Sequence, residues 1–428
     1  MDLFDKFAAL PGQHEAILRA GRDPFGVCMD EIHSATEAVV GGRRILLAGT
    51  NNYLGLTFDP EAVEAARDSI ARQGTGTTGS RIANGTYSAH RSLEHNLADF
   101  LGVRSVLVFS TGYQANLGAI AGLAGPDDVI LIDADCHASI YDGCKLSGAT
   151  VIRFRHNSPS DLDRRLERVG GSGTNKLIIV EGLYSMFGDI APLAEFAEVK
   201  RRHGAYLYVD EAHSLGVYGA TGRGVAQAAG VSDDVDFVVG TFSKSLASMG
   251  GFCGSNHPKF DLLRFASRPY MFTASLSPAN LAAAAASLQQ IRNRPELRET
   301  LWRNSHALHE GLSRLGLTLG SAPSPIVAVR MPNQEAAVQF WNGLYRAGVY
   351  VNLAIPPGTP NSASLLRCSV SAAHSAAQIE QIRAAFELVA SELRMLKGKN
   401  GVSAAARDYR ASGMRRGDKV AMPGPAQP

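Results

Sequence analysis

The 428 residues contain no uninterrupted apolar run of the ~18 residues that a membrane-crossing helix needs, so no spanning segment is expected. Cysteine is scarce. The five residues, Cys28, Cys136, Cys144, Cys253 and Cys368, are scattered, odd in number, and never fall in a C-x-x-C pair. That excludes a disulfide framework and a zinc cluster and fits a reducing compartment, so no metal is expected. A large charge of one sign is missing as well. The formal net charge of +2 offers nucleic acid no strong field, and no nucleic-acid partner is expected. The opening stretch MDLFDKFAALPGQHEA carries acids and lacks the basic start and apolar centre of a signal peptide. The expectation is a cytoplasmic protein.

What is present is an ordinary globular balance, with 45% hydrophobic and 19% charged residues. The length suits one large domain with a smaller one. Charge is unevenly placed: from Lys397 to Pro428 seven Lys or Arg stand against two Asp, a net +5, which leaves −3 for the rest. Gly, Ala, Ser and Pro fill the remainder of that tail, which is expected to be disordered.

From about Val106 to Gly254, short apolar runs alternate with helical stretches. The runs are SVLVFS (105–110), DVILIDA (128–134), TVIRFRH (150–156), KLIIVEG (176–182), AYLYVDEA (205–212) and DFVVGT (236–241). Apolar runs without alternation mark strands buried on both faces, and strands alternating with helices predict an α/β domain with a mostly parallel sheet. The last third reads as a smaller α+β C-terminal domain. A helical region over 278–315 leads into strand SPIVAVR, helix EAAVQFWNGLYRAG, strands VYVNL and SLLRCSV, and a final helix over 376–396. The expected division is an N-terminal segment 1–59, a large domain 60–290, a small domain 291–397 and the tail 398–428.

Two nucleotide motifs are imitated. GTGTTG (74–79) matches G-x-G-x-x-G but follows a helical stretch, not a strand, so the required strand-turn-helix is missing. VDEAH (209–213) resembles an ATPase strand end, yet no phosphate-binding G-x-x-x-x-G-K-[ST] precedes it. GTFSKS (240–245) has Ser243 where the glycine should be, and it comes after VDEAH. A different chemistry uses the pieces together. Asp210, Lys244 and His137 each follow an apolar run, which puts them at the C-terminal edge of the sheet, where ligands gather in open α/β folds. His213 lies three residues beyond Asp210. STGYQAN follows SVLVF and opens a helix, so Gly112 and Tyr113 offer backbone N–H groups to a phosphate. A lysine, an acid, a ring-bearing residue and a helix N-terminus at one edge suit pyridoxal phosphate: the lysine takes the aldehyde, and the acid keeps the pyridine nitrogen protonated. Singly, His137 is as well a structural histidine, Asp210 a helix cap and Lys244 a surface charge.

VDEAHSLGVYG, GTFSKS, DADCHASIYDGC, FSTGYQANLGAI and GTGTTGSR with NGT resemble the α-oxoamine synthases, fold-type I enzymes that use pyridoxal phosphate to condense an amino acid with an acyl thioester and release carbon dioxide. The resemblance runs from about Pro24 to Leu396. SRIANGT, VEGLYSMFGDIAPL, RPYMFTASLSP and YVNLAIPPGTP with LLRCSVSAAH are most similar to the bacterial members that join L-serine to a long-chain acyl group, carried by coenzyme A or acyl carrier protein. The implied product is a 3-keto long-chain base, the first intermediate of sphingolipid synthesis. Members that take glycine or alanine with short or dicarboxylic acyl groups stay open as the alternative.

The resemblance also implies roles. Lys244 would bond the cofactor, His137 stack on its ring, Asp210 pair with the ring nitrogen and His213 reach the phenolic oxygen. Gly112, Tyr113, Thr241 and Ser243 would surround the phosphate. Arg367 would receive the serine carboxylate, and Asn52 and Ser80, with neighbouring Arg81, would face substrate. Thr273 would reach the site of a neighbouring subunit, which implies a homodimer with shared active sites. A lipophilic product implies peripheral contact with the inner membrane face.

Overall fold

The computed structural model describes residues 2–8, 10–170 and 174–395. The basic tail expected to be disordered lies outside the described residues. After helix α1 (Leu10–Ala20), three short strands, β1 (Glu31–Ile32), β2 (Glu37–Val40) and β3 (Arg43–Leu47), form an antiparallel ribbon that the apolar-run reading does not find. The strands are short, β1 is exposed and β2 alternates between half-buried and buried residues, so none but the end of β3 presents a continuous apolar run.

Helices α2 (Pro60–Gln73) and α3 (Ser88–Leu101) lead to the main sheet. Its strands are β4 (Ser105–Phe109), β5 (Val129–Asp133), β6 (Thr150–Phe154), β7 (Lys176–Glu181), β8 (Tyr206–Asp210), β9 (Phe237–Thr241) and β10 (Gly251–Ser255). They lie in the order β4-β10-β9-β8-β7-β5-β6. The pairs β6–β5–β7–β8–β9 are parallel, and β10 runs antiparallel between β9 and β4. The connecting helices include α4 (Gly112–Leu123), α5 (Ala138–Ser147), α6 (Pro159–Val169) and α7 (Leu193–His203). All six predicted strands are found. Every residue of β7 is buried, the mark of a strand covered on both faces.

The unforeseen strand of the main sheet is β10, GFCGS, whose glycines hide a strand from any propensity argument. Close packing demands them. A Cβ on Gly251 would lie 2.5 Å from the Gly112 Cα, and one on Gly250, at φ +133°, 2.4 Å from the Phe242 ring. The chain therefore passes tightly beside the start of α4.

The predicted helix over 278–315 is two helices, Pro278–Asn293 and Glu296–Arg314, broken at Arg294-Pro295 because proline cannot donate to the preceding turn. VYVNL also divides. β12 (Val349–Tyr350) pairs in parallel with β3, while β13 (Asn352–Ala354) joins β14 (Ser364–Ser369) and β11 (Ile326–Met331) in a three-stranded antiparallel sheet. The N-terminal ribbon is thus tied to the C-terminal region, and Arg367, in the middle of β14, is carried toward the main sheet.

Candidate active site

Register fixes the centre of the site. In the parallel sheet Asp210 stands opposite Glu181 on β7 and Val239 on β9, so both acids end their strands side by side. The chain leaving β9 reaches Lys244 within a few residues, and β5 leads to His137 at the start of α5. β4 delivers Thr111, which caps α4 by accepting the Gln114 N–H. These ends enclose a cavity of about 390 Å³.

Eight of the expected residues line it: Lys244, His137, Asp210, His213, Gly112, Tyr113, Thr241 and Ser243. Asp210 is buried and receives two hydrogen bonds, from the Ala212 N–H (2.9 Å) and from Asn116 Nδ2 (2.7 Å). Burial lowers the Lys244 ammonium from 10.5 to about 8, against the opposing pull of Asp210 and Glu181, and the nearby Arg367 cation pushes the same way as burial. Burial also lowers His137, with Asp210 opposing and Lys244 assisting. It holds His213 well below its ordinary value, helped by the Lys244 and Arg367 charges. Both histidines are therefore neutral near neutral pH.

At the mouth of α4, no side chain can cover the helix end: a Cβ on Gly112 would sit 2.8 Å from the Thr241 Cβ. This leaves a bare cradle of backbone N–H groups beside the hydroxyls of Thr241 and Ser243, which lie 2.9 Å apart. Tyr113 is held by a hydrogen bond from its hydroxyl to Asp142, and its ring meets His137 edge-on at 6.2 Å. An anion cradle, a ring-facing histidine, a carboxylate and an amine of lowered basicity fit the phosphate, ring, ring nitrogen and aldehyde of pyridoxal phosphate.

The other expected residues stand outside this cavity. Arg367 is buried and donates to the Ser185 carbonyl, to Asn51 Oδ1 (3.1 Å) and to Ser369 Oγ (2.8 Å). It also reaches the Tyr53 hydroxyl (3.4 Å), which in turn lies 2.7 Å from His213 Nδ1, so Tyr53 bridges arginine and histidine. Asn52 is buried with its Nδ2 on Thr57, and its Oδ1 has no partner among the described residues. Ser80 pairs with Ala274 through an isolated bridge, and Thr273 accepts from Gln114 Nε2 (3.4 Å). Arg81 forms a buried ion pair with Glu94 (2.9 Å), a structural contact.

Sequence reasoning passed over Glu181, Asn116, Ser139 and Tyr53. The signal for Glu181 was available, since it ends KLIIVE as Asp210 ends YLYVD. Burial, with Asp210 beside it, raises its carboxyl well above the usual range although it accepts the His137 N–H. Asn116 is a lone polar residue on the buried face of α4. Tyr53 carries no local signal of its site role, because His213 and Arg367, which it joins, are more than a hundred residues away.

The fold and this strand-end site define a pyridoxal-phosphate enzyme architecture, and the aminotransferase class I and II family model matches residues 43–386; the chain belongs to that family. Within it, the chain is 55% identical to a serine palmitoyltransferase of Caulobacter vibrioides over 397 residues, covering 93% of this chain and 98% of the relative. It is 49% identical to one of Sphingomonas paucimobilis, covering 90% of this chain and 92% of the relative. A solved serine palmitoyltransferase with its pyridoxal phosphate as internal aldimine superposes with a TM-score of 0.91 at 48% identity, covering 92% of this chain and all of that one. Serine palmitoyltransferases are thus the particular group to which this chain is similar.

Proposed function

We propose that the chain is a serine palmitoyltransferase, a pyridoxal-phosphate acyltransferase joining L-serine to a long-chain acyl thioester. The observation that carries this reading is a single cavity into which separate strand ends deliver Lys244, Asp210 and His137. Bound there, the cofactor supplies an aldehyde carbon that takes up amines and a ring that accepts an electron pair from the α-carbon.

The chain's own residues would do the rest. Gly112 and Tyr113 N–H groups and the Thr241 and Ser243 hydroxyls would hold the phosphate. Asp210, fixed by Asn116 and Ala212, would keep the ring nitrogen protonated. His137 would lie on the ring and His213 would reach its phenolic oxygen. Lys244, with its ammonium lowered to about 8, has a neutral fraction near neutral pH and would remove the serine α-proton. Arg367, preset by Asn51, Ser369 and Tyr53, would take the serine carboxylate, a task for a planar donor. A carbon–carbon bond forms at the thioester carbonyl as the thiol leaves. The serine carboxylate would then depart as carbon dioxide and the α-carbon would take up a proton in its place, giving a 3-keto long-chain base.

The acyl donor would be acyl-coenzyme A or acyl carrier protein. Thr273 would reach the site of a second copy in a homodimer, and Asn52 and Ser80 would face substrate. Exposed apolar residues beside Thr273 and Ser80, Phe272 (76% exposed) and Ile82 (47%), support a covered surface there. Among the described residues no helix is long and apolar enough to cross a membrane, and any membrane contact would be peripheral.

The reading is tested on purified protein, which should be yellow and change its visible spectrum with serine. Substitution Lys244→Ala should abolish the lysine-bound absorbance. Serine, glycine and alanine are then paired with acyl thioesters of graded length. Colourless protein without amino-acid response defeats the reading, and preference for glycine with an acetyl thioester moves the chain to another branch of the family.

A further inference from the structure

His137 occupies an unusual place. It is the N-cap of α5, with extended backbone (φ −60°, ψ 148°), and its Nδ1 accepts the Ser139 N–H at 3.2 Å. N-caps are normally Ser, Thr, Asp or Asn, and an imidazole replaces them only with an unprotonated Nδ1. The same Nδ1 lies 2.8 Å from Ser139 Oγ.

The direction of that second bond follows from a chain of partners. Asn116 Nδ2 lies 2.7 Å from Asp210 Oδ2 and 3.0 Å from Ser139 Oγ. A carboxylate only accepts, so the amide nitrogen must face Asp210. The Tyr208 hydroxyl donates to Asn116 Oδ1 at 2.7 Å and fixes the same orientation. An amide nitrogen only donates, so Ser139 Oγ accepts from Asn116 and keeps its own proton free; because His137 Nδ1 accepts the Ser139 backbone N–H and so carries no proton, the Ser139 hydroxyl is the donor in its contact with Nδ1. Asn116 is 3% exposed and Ser139 1%, so water does not compete for these groups.

We infer that Ser139 and Asn116 are positioning residues that lock His137 as the neutral tautomer protonated on Nε2, making it a fixed donor into the cavity whose orientation is tied to Asp210. His137 then hydrogen-bonds the reacting group without changing its own charge during turnover. Its surroundings balance around this state. Burial and Lys244 beyond β9 oppose a cation, Asp210 on β8 favours one, and Glu181 on β7 accepts the His137 backbone N–H. His213 and the Tyr113 ring complete the groups facing it. Protonating Nδ1 would set an N–H against both the Ser139 hydroxyl proton and the positive end of α5. This rests on the proposed cofactor site, but the tautomer itself is readable without it.

The test is nitrogen-15 histidine NMR on apo and holo protein, with His137→Gln to assign the signals. The expected spectrum shows a bare Nδ1 and a protonated Nε2 across about pH 6 to 8.5, the range in which an ordinary histidine changes charge. In Ser139→Ala the backbone cap remains, so the change is partial: a second tautomer or an upward-moved titration appears, and kcat falls about 5- to 10-fold with little change in the serine KM. Ser139→Thr, which keeps the hydroxyl, restores the signal. Asn116→Asp, which replaces the donor by an acceptor, draws the Ser139 hydroxyl away and mimics Ser139→Ala. A protonated Nδ1 or an imidazolium near pH 7 in wild type overturns the inference, as does an unchanged spectrum and kcat in Ser139→Ala. A wild-type protein that shows the tautomer yet binds no pyridoxal phosphate overturns the functional reading instead.

Discussion

Substituting Gly112→Ala isolates the phosphate cradle. The added Cβ would lie 2.8 Å from both Cβ and Oγ1 of Thr241, where ordinary contact begins at 3.4 Å. Thr241 cannot swing aside, because its Cβ is fixed to β9 and its hydroxyl is bonded to the Gly250 carbonyl (3.0 Å) and to Ser243. The start of α4 must therefore move, and Gly251 blocks its retreat, with room for no more than a hydrogen against the Gly112 Cα. Overpacking of this kind costs about 1–3 kcal/mol. If the displaced backbone N–H groups and Thr241 hydroxyl are those that hold the phosphate, most of that cost falls on cofactor binding, a weakening of roughly 5- to 150-fold. The assay is titration of apo protein with pyridoxal phosphate, read by absorbance. Gly125→Ala, whose Cβ would meet only Asp128 at 3.9 Å, serves as control. Wild-type cofactor affinity in a folded Gly112→Ala protein would refute the cradle.

Three other outcomes follow from the same site and its surroundings. In apo protein Lys244 should react with amine reagents with a midpoint near pH 8, and Asp210→Asn should lower that midpoint further, since the carboxylate raises it. Arg367→Lys loses the planar fork set by Asn51, Ser369 and Tyr53, and should raise the serine KM about 10-fold or more with a smaller effect on kcat. His156 bridges Asp133 (2.8 Å) and Asp189 (2.6 Å), and although burial opposes the charge, these partners raise it to about 10. A raised histidine contributes stability fully below its unfolded value of ~6.5 and loses it as pH climbs through about 10. His156→Gln should therefore cost about 2–3 kcal/mol in denaturant unfolding at pH 6, and the gap to wild type should narrow toward pH 10.

Local pattern carried the main sheet because strands such as KLIIVE are buried on both faces and announce themselves by composition. It failed at GFCGS, where packing against α4 selects glycine over any strand-forming residue. It also failed at the N-terminal ribbon, whose strands are short and half exposed, and at VYVNL, where Val351 marks a change of sheet that no periodicity reports. The strand-end rule groups Lys244, Asp210 and His137, and all three line one cavity, since parallel strands bring their C-terminal ends together whatever lies between. The supporting contacts were less legible. Tyr53 joins His213 to Arg367 across 160 and 314 residues of chain, and Ser139 acts through a hydrogen-bond direction set by the backbone cap on His137 Nδ1 together with the orientation of Asn116.

The central claim is that this site makes a carbon–carbon bond between serine and a long acyl chain. Its most direct measurement is mass spectrometry of the products formed from carboxyl-labelled L-serine and palmitoyl-coenzyme A. The account predicts a 3-keto long-chain base that has lost the labelled carboxyl carbon, formed by wild type and absent with Lys244→Ala. A product that retains the label, or equal product from the Lys244→Ala protein, would contradict it.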